Sequence, residues 1–460
     1  MKRGRLAGAA VALSGALALT GAATGAAPAP QPEATLLRFA AIVDGTGERL
    51  PGREVVVAAG RIVATGDALA RRHPAARRVD LGRLTAAPGL IDAHVHITYG
   101  FCGPSRGDAW QQLLQETPPA ERLVAAIDNA ARTLEAGVTT ARDLMALDGV
   151  DFQLRELIER GVVPGPRLFL GGTGIHPLVM PLEAAGSTAE RVASLSRRAH
   201  EVAGRGAQWL KIFATTGTGA DLSGTRNYDF PELEAAIKTA HERGLRVALH
   251  AYGPSVVPDA IRAGADSIEH AVDVDDQTLR AWAAAGIFYV PTIDHNRWYA
   301  DHRGEFGYST EDEAQLRAFL MRNTAMLGRA WQAGVPIAMG SDALLGMSGE
   351  NTRELEWFVA AGLPPAAALR AATTDGAHLL GEQDRLGRIA PGFTADLIAV
   401  DGDPLADIRA LTERVRWVMK DGAIVVDRRA GRNQIRPARY CTRSGSPDSP
   451  EVPVRPASSP

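Results

Sequence analysis

Cysteine is nearly missing: Cys102 and Cys441 are the two in 460 residues. No disulfide framework is therefore written in the chain, and one bridge between these two is all that stays open. An excess of charge of either sign is missing too. The formal net charge is −3 and the pI near 6.4, which excludes the basic footprint of a nucleic-acid binder and a polybasic membrane surface. The N-terminal apolar run, about residues 6–20, is with its flanks too short to make a convincing bilayer span, an uncleaved N-terminal anchor being the alternative. What is present is an ordinary globular composition, 45% hydrophobic and 22% charged, long enough for a large domain and a smaller one.

Lys2, Arg3 and Arg5 precede that apolar run, and small residues 21–27 follow it. This order reads as a secretory signal peptide over residues 1–27, cleaved near Ala27 or Ala29. The expectation is a protein exported to the cell envelope or beyond, with no stable membrane span after cleavage. Loss of three cationic and no anionic residues would take the formal charge from −3 to −6. No cysteine follows the run, which argues against a lipid anchor.

Two flanking regions share a texture that the middle lacks. Residues 35–87 contain Arg53-Glu54-Val55-Val56-Val57 and Arg61-Ile62-Val63-Ala64; residues 387–428 contain Ala395-Asp396-Leu397-Ile398-Ala399-Val400 and Arg416-Trp417-Val418-Met419-Lys420 before an Asp421-Gly422 turn. Each half is too small to bury a core alone, so the two are expected to combine in one small β-sandwich domain. Residues 88–386 instead alternate strand-like and helix-like stretches. Eight apolar runs end at His96, Asp143, Gly171, Phe213, His250, His270, Pro291 and Gly340, each followed by a helical pattern. Ala-Gly or Arg-Gly pairs at 136–137, 243–244, 263–264, 285–286 and 333–334 fall where those helices should stop. The expected class is α/β, a (β/α)8 TIM barrel that presents its chemistry at the C-terminal strand ends. Residues 432–460, rich in Pro, Ser and Arg, lack apolar periodicity and are expected to be disordered, with no catalytic role.

Metal-binding residue types cluster at those strand ends. His94 and His96 are two apart on a strand, so both side chains project from one face and can chelate one ion. His250, His270 and Asp342 close later strands. Lys211 lies inside Gln208-Trp209-Leu210-Lys211-Ile212-Phe213, where an ammonium is costly to bury. A desolvated lysine can form a Schiff base, take up carbon dioxide to become an anionic two-oxygen ligand, or snorkel to the rim.

The run Pro88-Gly89-Leu90-Ile91-Asp92-Ala93-His94-Val95-His96, with Lys211, His250, His270 and Gly340-Ser341-Asp342, resembles the amidohydrolase superfamily. Gly137-Val138-Thr139-Thr140-Ala141-Arg142-Asp143, His250-Ala251-Tyr252-Gly253, Ile268-Glu269-His270, Ala371-Ala372-Thr373-Thr374 and Gly392-Phe393-Thr394-Ala395-Asp396-Leu397 look like its imidazolonepropionase-like, prolidase-related branch, over about residues 35–428. The resemblance implies two divalent metal ions, usually zinc: one on His94, His96 and Asp342, the other on His250 and His270, with carboxylated Lys211 bridging. It further implies a metal-activated hydroxide attacking a carbonyl, Asp342 moving its proton to the leaving nitrogen, and Tyr252 hydrogen-bonding the oxyanion. Arg142 is expected to pair with Asp143 at the mouth or to meet a substrate carboxylate, and Glu269 to support the site from behind. Where the branch commonly has a Gly-Gly-His-Gly-like loop, this chain reads Gly171-Gly172-Thr173-Gly174-Ile175-His176-Pro177. His176 is the candidate substrate contact there, and the departure weakens the transfer of dipeptidase specificity.

The leading expectation is a metal-dependent hydrolase of an amide C–N bond acting on a small molecule or dipeptide, in its sharpest version an Xaa-Pro-type dipeptidase. A cyclic amidase or deaminase with one metal, a barrel that binds a small ligand without catalysis, and a lyase using Lys211 as a Schiff base remain as alternatives. Homo-oligomerisation stays open.

Overall fold

The computed structural model describes residues 34–177, 187–429 and 441. The expected signal peptide and the tail from residue 432, Cys441 apart, lie outside the described residues. The chain enters as β1 (Thr35–Ile42), β2 (Glu54–Ala58), β3 (Arg61–Gly66) and β4 (Arg77–Pro88). It continues as β5 (Leu90–Val95), β6 (Val138–Asp143), β7 (Arg167–Leu170), β8 (Trp209–Phe213), β9 (Arg246–His250), β10 (Ser267–Glu269) and β11 (Phe288–Val290), and returns as β12 (Leu397–Val400), β13 (Val415–Lys420) and β14 (Ala423–Asp427).

The flanks do meet, in a single seven-stranded sheet of order β14-β13-β12-β4-β1-β2-β3 rather than in two hydrogen-bonded sheets. β4 joins the halves, parallel to β1 and antiparallel to β12. Leu37, Phe39, Val55 and Ile62 share one core with Leu397, Ala399, Trp417 and Met419, so neither flank buries that surface without the other.

The middle strands form parallel ladders β5-β6-β7 and β11-β10-β9-β8. Single bridges link Ile175 to Ile212, Tyr289 to Ile337 and Val95 to Ala343. The predicted eighth strand near residues 335–340 is such a bridged segment and not a regular strand. Pro336 has no N–H to give a ladder, yet its carbonyl accepts from Tyr289 at 2.8 Å, and the Met339 carbonyl accepts from Ala93 at 2.8 Å.

Helices Pro119–Glu135, Val150–Glu159, Thr188–Gly204, Phe230–Glu242, Val257–Ala263, Asp276–Ala285 and Thr310–Ala333 separate successive strands. Ser187 with Glu190 and Ser309 with Asp312 close capping boxes, satisfying amide groups that a helix start leaves without intrahelical acceptors. Gly334 ends the last of these helices at φ +82°, a left-handed stop that fits glycine. Alternation then sets which way each strand side chain points. Leu210 and Ile212 of β8 pack among the helices, whereas Trp209 joins Ile91, Ala248, Phe288 and Val290 in a separate inner cluster. Lys211 shares parity with Trp209, and His250 with Ala248, so both reach the inner side.

Candidate active site

Five segments deliver the expected ligands to one place: β5, β8, β9, β10 and the bridged segment before Ala343. Asp342 takes φ +52°, and its amide donates to the His94 carbonyl at 2.7 Å, pinning the bridged segment against β5. Gly340 permits that approach: a Cβ there would stand 2.4 Å from Val290 Cγ1 and 2.7 Å from His94 Cβ. Asp342 Oδ1 lies 3.1 Å from His96 Nε2 and 3.6 Å from His94 Nε2. Lys211 Nζ is 3.2 Å from His94 Nε2. The His270 ring sits 5.0 Å from that of His94 and 4.4 Å from that of His250. All six predicted groups are buried.

Protonation follows from these surroundings. Burial, then the neighbouring Lys211 and other imidazoles, holds His94 well below the usual histidine range; burial, with His250 and Lys211, does the same to His270. Burial pulls the Lys211 amine down to about 8 against the opposing pull of Glu269 and Asp342. Burial raises the Asp342 carboxyl, but His295, His96 and Lys211 outweigh it, and the group is held below the ordinary carboxylate range. Neutral imidazoles and an ionised carboxylate are the forms that bind a divalent cation.

Whether the donor set fits a metal can be tested on the atoms themselves. The carboxylate of Glu269 can only accept when ionised, and its Oε2 lies 2.8 Å from His94 Nδ1, so that nitrogen carries the proton and Nε2 keeps its lone pair. His270 Nδ1 meets Thr292 Oγ1 at 2.6 Å, and that hydroxyl in turn donates to the Pro291 carbonyl at 2.8 Å, which again leaves Nε2 unprotonated. His250 Nε2 is buried with no hydrogen-bond partner among the described residues. Lys211 has no carboxylate within ion-pair distance among them either. His94, His96 and Asp342 form one group able to hold an ion; His270, His295 and Asp342 form another. The residues fit.

Some expectations need correction. Arg142 neither pairs with Asp143 nor faces a substrate. Its guanidinium is fully buried, donates to the Ala93 carbonyl, to Ser267 Oγ at 3.0 Å and to Glu269 Oε1 at 3.0 Å, and stacks 4.2 Å from the Trp209 ring centre. A cation taken out of water needs such partners, and with no exposed side-chain surface it offers no face to a ligand. Glu269 does stand behind the site, between Arg142 and His94. His176 is half-buried against Phe213, ring centres 4.4 Å apart, and burial and Lys211 lower its pKa to about 4. Tyr252 is buried and stacked on His250 at 5.0 Å, but its hydroxyl meets His295 Nε2 at 2.8 Å.

His295 is the residue that sequence reading missed. It lies in helix Asp294–Asp301, just past the seventh strand, with Nε2 3.6 Å from Asp342 Oδ2. The signal was a histidine at the same strand-end level as the other ligands, but displaced into the following helix. Asp92 was also missed: it accepts from the His94 amide at 3.2 Å, the Ser341 amide at 3.0 Å, Ser341 Oγ at 2.6 Å and Asn351 Nδ2 at 3.0 Å, tying both ligand segments together.

Known proteins resemble this chain in sequence and in fold. Residues 85–425 match the amidohydrolase family. Ochratoxinase of Aspergillus niger is 28% identical over 368 residues, 73% of this chain and 75% of that protein. A solved Xaa-Pro dipeptidase with bound methionine superposes with TM-score 0.74 at 27% identity, covering 85% of this chain and 99% of that one. A prolidase structure from Bifidobacterium longum, itself assigned by inference, gives 0.71 at 26%, covering 86% and 95%. With its parallel α/β scaffold, its metal-binding His and Asp groups and this match across most of its length, the chain belongs to the amidohydrolase family, in the prolidase-related branch, and is a hydrolase of carbon–nitrogen bonds.

Proposed function

We propose that the chain is an exported amidase holding two divalent cations, zinc in the simplest case, on a (β/α)8 barrel and cleaving a dipeptide-like amide, with Xaa-Pro dipeptides as the sharpest candidates. The observation that carries this reading is the convergence of His94, His96, Lys211, His250, His270 and Asp342, from five separate chain segments, on one buried point. One cation would be held by His94, His96 and Asp342, the other by His250 and His270, with Lys211 between them as a carbamate. A buried amine beside His94 and without a carboxylate partner supports that modification, which would exchange a cation for an anion. Bound divalent metal brings the pKa of water from about 15.7 toward about 7 and polarises a carbonyl.

The chain's own groups then supply positioning and proton handling. Asp342, ionised and buried, accepts the proton of the attacking water and returns it to the leaving nitrogen. Tyr252, whose pKa burial and then Asp342 raise well above the ordinary phenol range, stays a donor for a developing oxyanion. His176, at the edge beside Phe213, is the candidate contact for the rest of the substrate. Export is supported by the basic-apolar-small order of residues 1–27 and by a disulfide joining Cys102 to Cys441, a bond typical of oxidising compartments.

Elemental analysis together with a screen of Xaa-Pro and other dipeptides, N-acyl amino acids and lactams tests the proposal. About two zinc ions per chain and turnover of an amide are expected. One ion with unmodified Lys211 and turnover of a cyclic amide would move the assignment to the mononuclear alternative, and the absence of both metal and turnover would overturn it. Asp342→Asn is expected to abolish turnover while circular dichroism stays unchanged; a fully active variant would sink the role given to Asp342.

A further inference from the structure

His295 can share an ion with His270 and Asp342, but it has no place in the two-metal ligand set proposed above, and it is buried among those ligands. Its Nδ1 faces the Thr292 carbonyl oxygen, which can only accept, so Nδ1 carries the ring proton. Its Nε2 is therefore an acceptor, and the Tyr252 hydroxyl, 2.8 Å away, is the donor. The same Nε2 is 3.6 Å from Asp342 Oδ2. The Tyr252 ring itself has little freedom: it lies parallel to His250 on one contact and to Phe319 on another, at 5.0 and 5.1 Å, and its amide donates to Thr215 Oγ1 at 2.9 Å. Gly217 and Gly224 of the loop after β8 press on it so closely that a Cβ would come within 2.4 Å of Tyr252 Cγ or 1.8 Å of its carbonyl oxygen. With the ring fixed, rotation about the C–O bond is the freedom that remains to the hydroxyl.

We infer that His295 is a positioning residue for the hydrolytic reaction: it holds the Tyr252 hydroxyl proton away from Asp342 until a substrate oxyanion takes that hydrogen bond over. The inference rests on the amidase reading and deepens it. Asp342, 3.6 Å from the same Nε2, is a charged acceptor beside this pair, and a hydroxyl donated to it would occupy a lone pair that Asp342 needs as a base. A neutral imidazole is the weaker acceptor, so the hydroxyl is released to an oxyanion at small loss. Tyr252 and His295 then act as one unit, and removing either should remove the same contribution.

A double-mutant cycle on the dipeptide or N-acyl amino acid that the wild type hydrolyses fastest tests this. Removing an oxyanion donor lowers kcat by about 100-fold, so Tyr252→Phe is expected to lose that much with KM little changed. His295→Ala should lose kcat with KM and zinc content unchanged, His295→Gln should recover part of it through its amide oxygen, and the double variant should be no slower than Tyr252→Phe alone. Nitrogen-15 spectra of the zinc-loaded protein supply a readout independent of turnover: the His295 Nε2 resonance should move toward that of an imidazole nitrogen without a donor in Tyr252→Phe. Additive losses, a zinc deficit in His295→Ala, or an Nε2 resonance indifferent to Tyr252→Phe would each overturn the inference. A wild type inert on every amide fails the amidase reading instead, while the spectra still decide whether the pair exists.

Discussion

Glu269 shows how much a site depends on a residue that binds nothing itself. One oxygen faces His94 Nδ1 at 2.8 Å and the other accepts from Arg142 at 3.0 Å, all with no exposed side-chain surface. Glu269→Gln keeps the shape but leaves Arg142 as a buried cation without its counter-charge, and breaking a buried pair costs about 3–5 kcal/mol. Loss of the carboxylate behind a ligating histidine also weakens metal affinity by about 10–100-fold. The variant is therefore expected to unfold at lower urea and to surrender bound divalent metal to a competing chelator at lower concentration; unchanged values in both titrations would show that the charge is not needed. Sequence placed Glu269 correctly because strand alternation points it away from His270. It misplaced Arg142 because parity says which face a side chain takes, not which partner waits there.

At the scale of elements, the loop between β8 and helix Phe230–Glu242 shapes the mouth. Its tip meets the opposite side through Gly219, at φ +57°, where a Cβ would come within 1.9 Å of the Tyr308 hydroxyl and 3.3 Å of Trp110 Nε1. Trp110 in turn donates to Tyr308 at 3.2 Å, and Tyr99 stacks on His96 at 4.7 Å, so this aromatic wall begins at a ligand. Gly219→Ala is expected to lift the loop, since the methyl needs both an unfavourable φ and occupied space, at about 1–3 kcal/mol. Faster loss of bound divalent metal to a chelator, with global stability little altered, would be the sign; an unchanged off-rate would mean the loop does not close the site. None of this was legible beforehand, because loop conformation is set by contacts with distant elements. The strands and helices were legible through period and caps. The eighth strand was overcalled because its apolar run hid the consequence of Pro336.

Over the whole molecule, the disulfide is the feature with the longest reach. Cys441 is buried, bonded to Cys102 across 339 residues, and its amide donates to Asp128 at 2.8 Å. Cys102 follows the loop that carries Tyr99, so the bond ties the C-terminal region to the neighbourhood of the His96 strand end. Closing so long a loop restricts the unfolded chain, and a bond of this kind contributes about 2–4 kcal/mol. Replacing both cysteines by serine, or adding reductant to the wild type, is expected to lower Tm by several degrees, with the reductant having no further effect on the double variant. Identical melts with and without reductant would argue that the bond does not form in solution. Two cysteines far apart in sequence left that pairing open, since proximity is a tertiary property.

The sequence by itself determined the period and order of the parallel strands, the pairing of the flanks, and the identity of the six groups that gather around the site, because each of these follows from side-chain alternation and from residue chemistry at strand ends. Tertiary structure decided the rest. It decided that Arg142 serves Glu269, that His295 receives the Tyr252 hydroxyl, that Asp92 locks two ligand segments together, and that Cys441 comes home to Cys102. These are partnerships across many residues, fixed by where chains cross in space.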